Sequence, residues 1–152
     1  MPKPALALSL SAAVLALAGC TKGAEQGPTP QVTPEAILFP DITDGKLYGS
    51  GCNFVPSDEG MGAYALALDK HAWIKLAGKI VTLDPDTTSA PMPKKGWSRY
   101  TGEGYTLTLG RAAGSADKQA GVVDMLKGSL TLADAKGQVV YKASGDIQCK
   151  PM

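Results

Sequence analysis

An all-β fold, a small antiparallel barrel or sandwich of about seven to eight strands, is predicted by two features of this 152-residue chain. From residue 50 onward, short segments alternate apolar and polar side chains and are separated by Gly, Pro, Asp and Ser. A period of two with polar positions outward is the pattern of antiparallel strands buried on one face. Two cysteines, Cys52 and Cys149, lie near the first and last of these segments. A single closed meander would bring those two ends together.

The segments follow in order. Tyr64, Leu66 and Leu68 face one way, with Ala65, Ala67 and Asp69 opposite. Residues 73–76 and 80–83 flank Ala77-Gly78-Lys79, a hairpin signal centred on glycine. Gly102-Glu103-Gly104 reads as the turn between Tyr100 and Tyr105, and Tyr105, Leu107 and Leu109 alternate with threonines. Leu130 and Leu132 alternate with Ser129 and Thr131 ahead of the turn Asp134-Ala135-Lys136-Gly137. Val139 and Tyr141, then Ile147 and Cys149, complete the series. Two stretches break it: Asp84 to Lys95, with three prolines, and the polar stretch Arg111 to Ala120. Long loops on a rigid β scaffold are where binding tends to sit. Residues 36–48 fit either a strand or one helical turn near Asp41.

Composition narrows the function classes. Fifteen basic and 14 acidic side chains leave a formal charge of +1, without the basic footprint that nucleic-acid binding needs. An apolar fraction of 44% supports one core of ordinary size. Coiled-coil, collagen-like and multi-span membrane classes are excluded by the pattern.

The first residues read as an address. Lys3 precedes an unbroken run of Ala, Leu, Val and Ser from Ala5 to Leu17, too short for a spanning helix but suited to a signal-peptide core. It ends in Leu17-Ala18-Gly19-Cys20, which resembles the lipobox of bacterial lipoproteins. That resemblance implies cleavage before Cys20, acylation of its thiol and attachment to a membrane without a spanning helix. Thr21 stands where Asp would signal inner-membrane retention, so the expected place is the outer membrane, facing the periplasm. Residues 21–35 carry three prolines and one aliphatic side chain and read as a tether. The expected organisation is a signal peptide over 1–19, a lipidated Cys and linker over 20–35, and one β domain over 36–152.

With Cys20 assigned to lipid, Cys52 and Cys149 form an even pair, read as a disulfide in an oxidising compartment. The alternative is a Cys52 nucleophile with His71 as its base, for which the sequence offers no orienting partner. Two distant cysteines and one histidine lack metal-ligand spacing. No catalytic fingerprint occurs, and neither a cofactor nor a metal is expected. Asp58-Glu59 and Asp84-x-Asp86 are carboxylate pairs that suit acid–base work or Ca²⁺, yet read first as solvated turn residues. Lys94, Lys95, Trp97, Ser98, Arg99 and Tyr100, with Arg111 beside them, combine cations with aromatics as contact surfaces do. The competing reading puts Trp97 or Tyr100 in the core.

Residues 66–113 carry a family resemblance. Leu76-x-Gly78-x-x-Val81-x-Leu83, Arg99-Tyr100 with Gly104 and Tyr105, and Gly110-x-x-Ala113 resemble the membrane-bound inhibitors of c-type lysozyme. The resemblance implies a lipid-anchored periplasmic β-barrel, a disulfide between early and late strands, and a loop Ser, helped by a Lys, inserted into the lysozyme cleft. This chain departs at those working positions: Gly96 stands for the Ser, Trp97 for the Gly after it and Leu109 for the Lys, and Tyr48 and Cys52 lie four apart. The expectation is a monomeric, non-enzymatic binding module whose partner is a lysozyme-like protein or an envelope component. The alternative is a structural envelope lipoprotein with no soluble ligand.

Overall fold

The computed structural model describes Pro28, residues 30–115 and residues 117–151. The signal-like run, Cys20 and the tether to residue 27 lie outside the described residues. Ten strands are present: β1 (Pro34–Glu35), β2 (Gly51–Pro56), β3 (Ala65–Leu68), β4 (Ala72–Leu76), β5 (Lys79–Pro85), β6 (Arg99–Gly102), β7 (Tyr105–Arg111), β8 (Lys118–Ala120), β9 (Val123–Asp134) and β10 (Val139–Lys150). Eight of them form a closed antiparallel barrel in which β2, β3, β4, β5, β6, β7, β9 and β10 are neighbours in that order, and β10 returns to β2. Of the two folds open to the sequence, the barrel is the one adopted.

The hairpins sit where turn chemistry placed them. Ala77 and Gly78 have φ of 48° and 75°, and Glu103 and Gly104 have 49° and 84°, the paired left-handed residues that match a hairpin to the strands' twist. At the closing seam Cys52 and Cys149 are register partners, and their sulfurs are 2.09 Å apart, a disulfide. The meander is therefore closed by both hydrogen bonds and a covalent bond.

One apolar cluster fills the interior. Phe54, Ile74, Leu83, Tyr100, Leu107, Leu130, Leu132 and Ile147 are all fully buried in it. An eight-stranded barrel is just wide enough for such side chains to fill. Where β9 and β10 bend, Gly128 and Gly145 face each other. A Cβ on Gly128 would strike the Gly110 carbonyl oxygen, and one on Gly145 would strike that of Val55. Glycine is required there because the backbones of neighbouring strands close in.

The structure settles the inner face of one element and departs from expectation in two. In β3 the small residues Ala65 and Ala67 point into the barrel, while Leu66 and Leu68 point outward into a second apolar cluster. A register shift between Val139 and Tyr141 makes a bulge that buries Val140 and exposes Val139. The polar stretch after Arg111 contains β8, hydrogen-bonded to the start of β9.

The segment before β2 is a strap over the outer faces of β3 and β4. It begins earlier than the expected boundary at residue 36. Val32 N–H donates to Val140 O at 3.2 Å, Pro34 is fully buried, and β1 pairs with the end of β4. The last residues of the expected linker therefore belong to the fold. A short helix, α1 (Phe39–Gly45), resolves the choice left open over 36–48. Pro40 lies in its first turn, the Asp41 carboxylate accepts the Leu38 N–H at 2.8 Å, and left-handed Lys46 ends it. Ile42 and Leu47 pack on Leu66 and Leu68 with Trp73 beside them, and Lys75 Nζ donates to both Asp41 oxygens at 2.9 Å. Among the described residues the two apolar clusters run from Ile37 to Cys149, with Val32 packed against them.

Replacing both Cys52 and Cys149 with Ser should lower unfolding stability by roughly 4–5 kcal/mol, the loop-closure value for a bridge of this span, read by urea denaturation. Intact mass after reduction and alkylation should rise by two modified thiols in a chain starting after Cys20.

The Leu38 N–H and the Lys75 ammonium hold Asp41 below its ordinary value of 3.8. A carboxyl with a depressed folded pKa contributes stability above its unfolded pKa and loses it as pH falls through the folded one. Asp41→Asn should thus melt lower than the parent at pH 7, and the gap should close as pH falls below 3.8, measured by thermal melts across pH.

Candidate functional site

The 86–98 loop between β5 and β6 is tied down along its length. Asp86 N–H donates to Arg99 O at 2.9 Å, Ser98 N–H to Ala90 O at 2.9 Å, and Met92 N–H to Gly96 O at 2.8 Å. An isolated bridge between Pro91 and Trp97 makes it a small hairpin of its own. Asp86 anchors the base by accepting from Thr88 N–H at 3.0 Å, Thr88 Oγ1 at 2.6 Å and Arg99 Nε at 2.8 Å. These donors hold its carboxyl below the usual carboxylate range, Thr88 foremost.

This hairpin folds across one end of the barrel. Met92 enters the interior cluster as a stopper. A Cβ on Gly96 would lie 3.1 Å from Ala67 O and 3.6 Å from Cys52 Sγ, so a side chain there would push the tip off the barrel mouth. The 3-10 turn Pro93–Lys95 rests against β2 and β10. Lys94 and Lys95 both hold left-handed φ, 57° and 68°, a conformation non-glycine residues keep only when their surroundings enforce it. Tyr100 is a main enforcer: its hydroxyl donates to Leu68 O at 2.7 Å and accepts the Trp97 N–H at 2.9 Å. Burial pushes this phenol up to about 12.

The expected contact residues thus divide. Tyr100 is wholly inside the barrel and offers no surface. Trp97 is half-buried against the interior cluster, between the two readings of the sequence. Lys94 pairs with Asp124 at 3.3 Å, Arg99 with Asp86 at 2.8 Å, and Arg111 with Asp117. Ser98 is half-buried, and its backbone carbonyl accepts the Leu109 N–H at 2.8 Å. Lys95 is exposed at the tip with no ion pair among the described residues. Lys94 and Arg99 are brought to this end with the loop, and Arg111 ends β7 on the same side.

The other candidates separate. Cys52, bonded to Cys149, carries no thiol, so the nucleophile alternative has no nucleophile. His71 Nδ1 lies 3.1 Å from Asp84 on the exposed surface, its ring tilted against Trp73. Asp84 and Asp86 serve different partners, His71 and Arg99. At the opposite end of the barrel the neighbouring Glu59 carboxylate, together with burial, pushes the Tyr64 phenol up to about 12. Among the described residues, no three His, Cys, Asp or Glu side chains gather as metal ligands, and no helix is long and apolar enough to cross a membrane.

Sequence reasoning missed two parts of the surface. Met92 as a stopper carried no signal beyond one apolar residue between prolines. Leu38, Phe39 and Tyr48 are exposed on the strap, and the run Ala36-Ile37-Leu38-Phe39 was the visible hint. Comparison with known proteins finds no family model, no curated protein and no solved structure that matches this chain.

Tyr100→Phe should leave the Leu68 carbonyl and the Trp97 N–H unpaired in a dry site. The expected loss is about 1–3 kcal/mol of stability, with faster tryptic cleavage after Lys94 and Lys95 than in the parent at equal enzyme.

Proposed function

We propose that this protein is a binding module held at the periplasmic face of the outer membrane through a lipid on Cys20, and that it recognises a macromolecule with the plugged end of its barrel. The observation that carries this reading is the 86–98 hairpin, fixed by Tyr100 and the Asp86 network with Lys95 exposed at its tip. A surface ordered before contact loses little entropy on binding. The filled interior directs recognition to this outer surface rather than to an enclosed small ligand. The lipobox-like Leu17-Ala18-Gly19-Cys20 supports the anchor.

The sharpest form of the reading is inhibition of a c-type lysozyme. Glycosidase clefts of this kind work with paired carboxylates, and Lys95 offers a cation to them. The closed barrel, stapled between its first and last strands, supports that form because the resemblance implies both features. A structural envelope lipoprotein is the second reading. It is favoured by the pairing of Lys94, Arg99 and Arg111 within the chain and by the packing of Trp97.

Two measurements test these. In cells, Cys20→Ala should move the protein from the membrane to the soluble fraction; unchanged fractionation would remove the lipid anchor. The oxidised chain from residue 21 should inhibit cell-wall lysis by a c-type lysozyme in a dose-dependent way, and Lys95→Glu should weaken this at least tenfold. No inhibition at micromolar excess would remove the lysozyme form of the reading.

A further inference from the structure

The strap leaves an apolar face that the fold does not cover. Phe39, Leu38 and Tyr48 are 75%, 55% and 57% exposed. Phe39 and Tyr48 rim a groove of about 330 Å³ whose walls include Ile42, Leu47, Leu66 and Leu68. Lys150 lines the same groove, and exposed Lys46 precedes the lining residue Leu47 in the chain. Contiguous apolar surface of this kind marks a contact site rather than ordinary exposure.

We infer that this face rests on an anionic lipid surface, the one to which the chain's own N-terminus is held. The inference rests on the anchor reading above. Three observations select lipid. Aromatic and aliphatic side chains edged by lysines are the combination that seats at a membrane interface, with ammonium groups at headgroup depth. The groove's one charged lining residue is a cation, Lys150, and of the two carboxylates on α1 Asp41 is paired with Lys75 while Asp44 is exposed. Finally, the strap is the first part of the fold after the apolar N-terminal run. Thirteen residues separate Cys20 from Pro34, a reach of at most about 50 Å. A lipid on Cys20 therefore keeps the strap near the bilayer at high effective concentration, where weak insertion suffices.

The test uses the oxidised chain from residue 21, which contains every described residue, floated with vesicles of 30 mol% phosphatidylglycerol in phosphatidylcholine at low salt. The parent should float with these vesicles and bind pure phosphatidylcholine less. Phe39→Asp with Tyr48→Asp should cut the bound fraction at least tenfold without shifting the thermal melt, because both side chains are exposed. Lys46→Glu with Lys150→Glu should remove the preference for anionic vesicles. No flotation of the parent at millimolar lipid, or equal flotation of the Phe39/Tyr48 variant, would overturn the inference. Dimerisation of the parent without lipid, abolished by the same two substitutions, would assign the face to a second copy and overturn it as well. Vesicle binding together with an unacylated Cys20 in cells would uphold the surface while removing the anchor, so the two readings fail separately.

Discussion

Closure of the barrel between β2 and β10 is the constraint on which the rest of this molecule depends. A sheet that closes has no free edge to protect, but its interior must then be filled without voids. Here that interior takes Phe54, Tyr100 and a shell of Leu and Ile, with Ala65, Ala67 and Ala72 where the wall comes close. Gly128 and Gly145 face each other where adjacent strands crowd. The Cys52–Cys149 bond lies on the same seam, so the step that closes the barrel is also the step the covalent bond secures. Because the space inside is used by side chains, whatever the protein binds meets its outside.

The outside is finished by two devices that solve different problems. At one end the 86–98 hairpin stoppers the barrel, with Met92 inside and Tyr100 holding the backbone from below. Along one side the strap covers Leu66 and Leu68, which would otherwise leave β3 apolar toward water. The Asp41–Lys75 pair fastens that strap at mid-length. The hairpin is polar and internally paired, while the strap is apolar and only partly covered. The two surfaces therefore suit different chemistry.

Legibility in the sequence followed the same division. The meander was readable because each strand repeats every two residues and its turns carry glycine, and the cysteines could be paired because a closed meander brings its ends together. β3 was not readable to the same depth. Alternating Leu and Ala at 65–68 shows two faces but not which is inner, since the answer depends on a strap about 25 residues upstream. Val32 to Glu35 looked like tether because prolines and polar residues dominate, yet Pro34 is buried by β4, a tertiary effect that local composition does not contain. At the candidate site the loop was visible but its posture was not. Tyr100 fitted either a surface aromatic among cations or a core residue. Its strand register turns it inward, and only its hydroxyl reaches back to the loop it was expected to join.

The arrangement of charge bears on how so neutral a chain could carry the proposed recognition surface. Lys94, Arg99 and Arg111 each meet an Asp from a different part of the chain, and such exposed pairs contribute little stability. Their effect is on geometry: they hold long side chains in fixed places and cancel the field that would attract any polyanion. At the tip Lys95 is set by two consecutive left-handed residues, beside Gly96, which packs close to the barrel wall. A few exposed cations on a rigid platform select by fit more than by long-range attraction. On the proposed reading, such a surface suits one shaped partner better than a crowd of acidic ones.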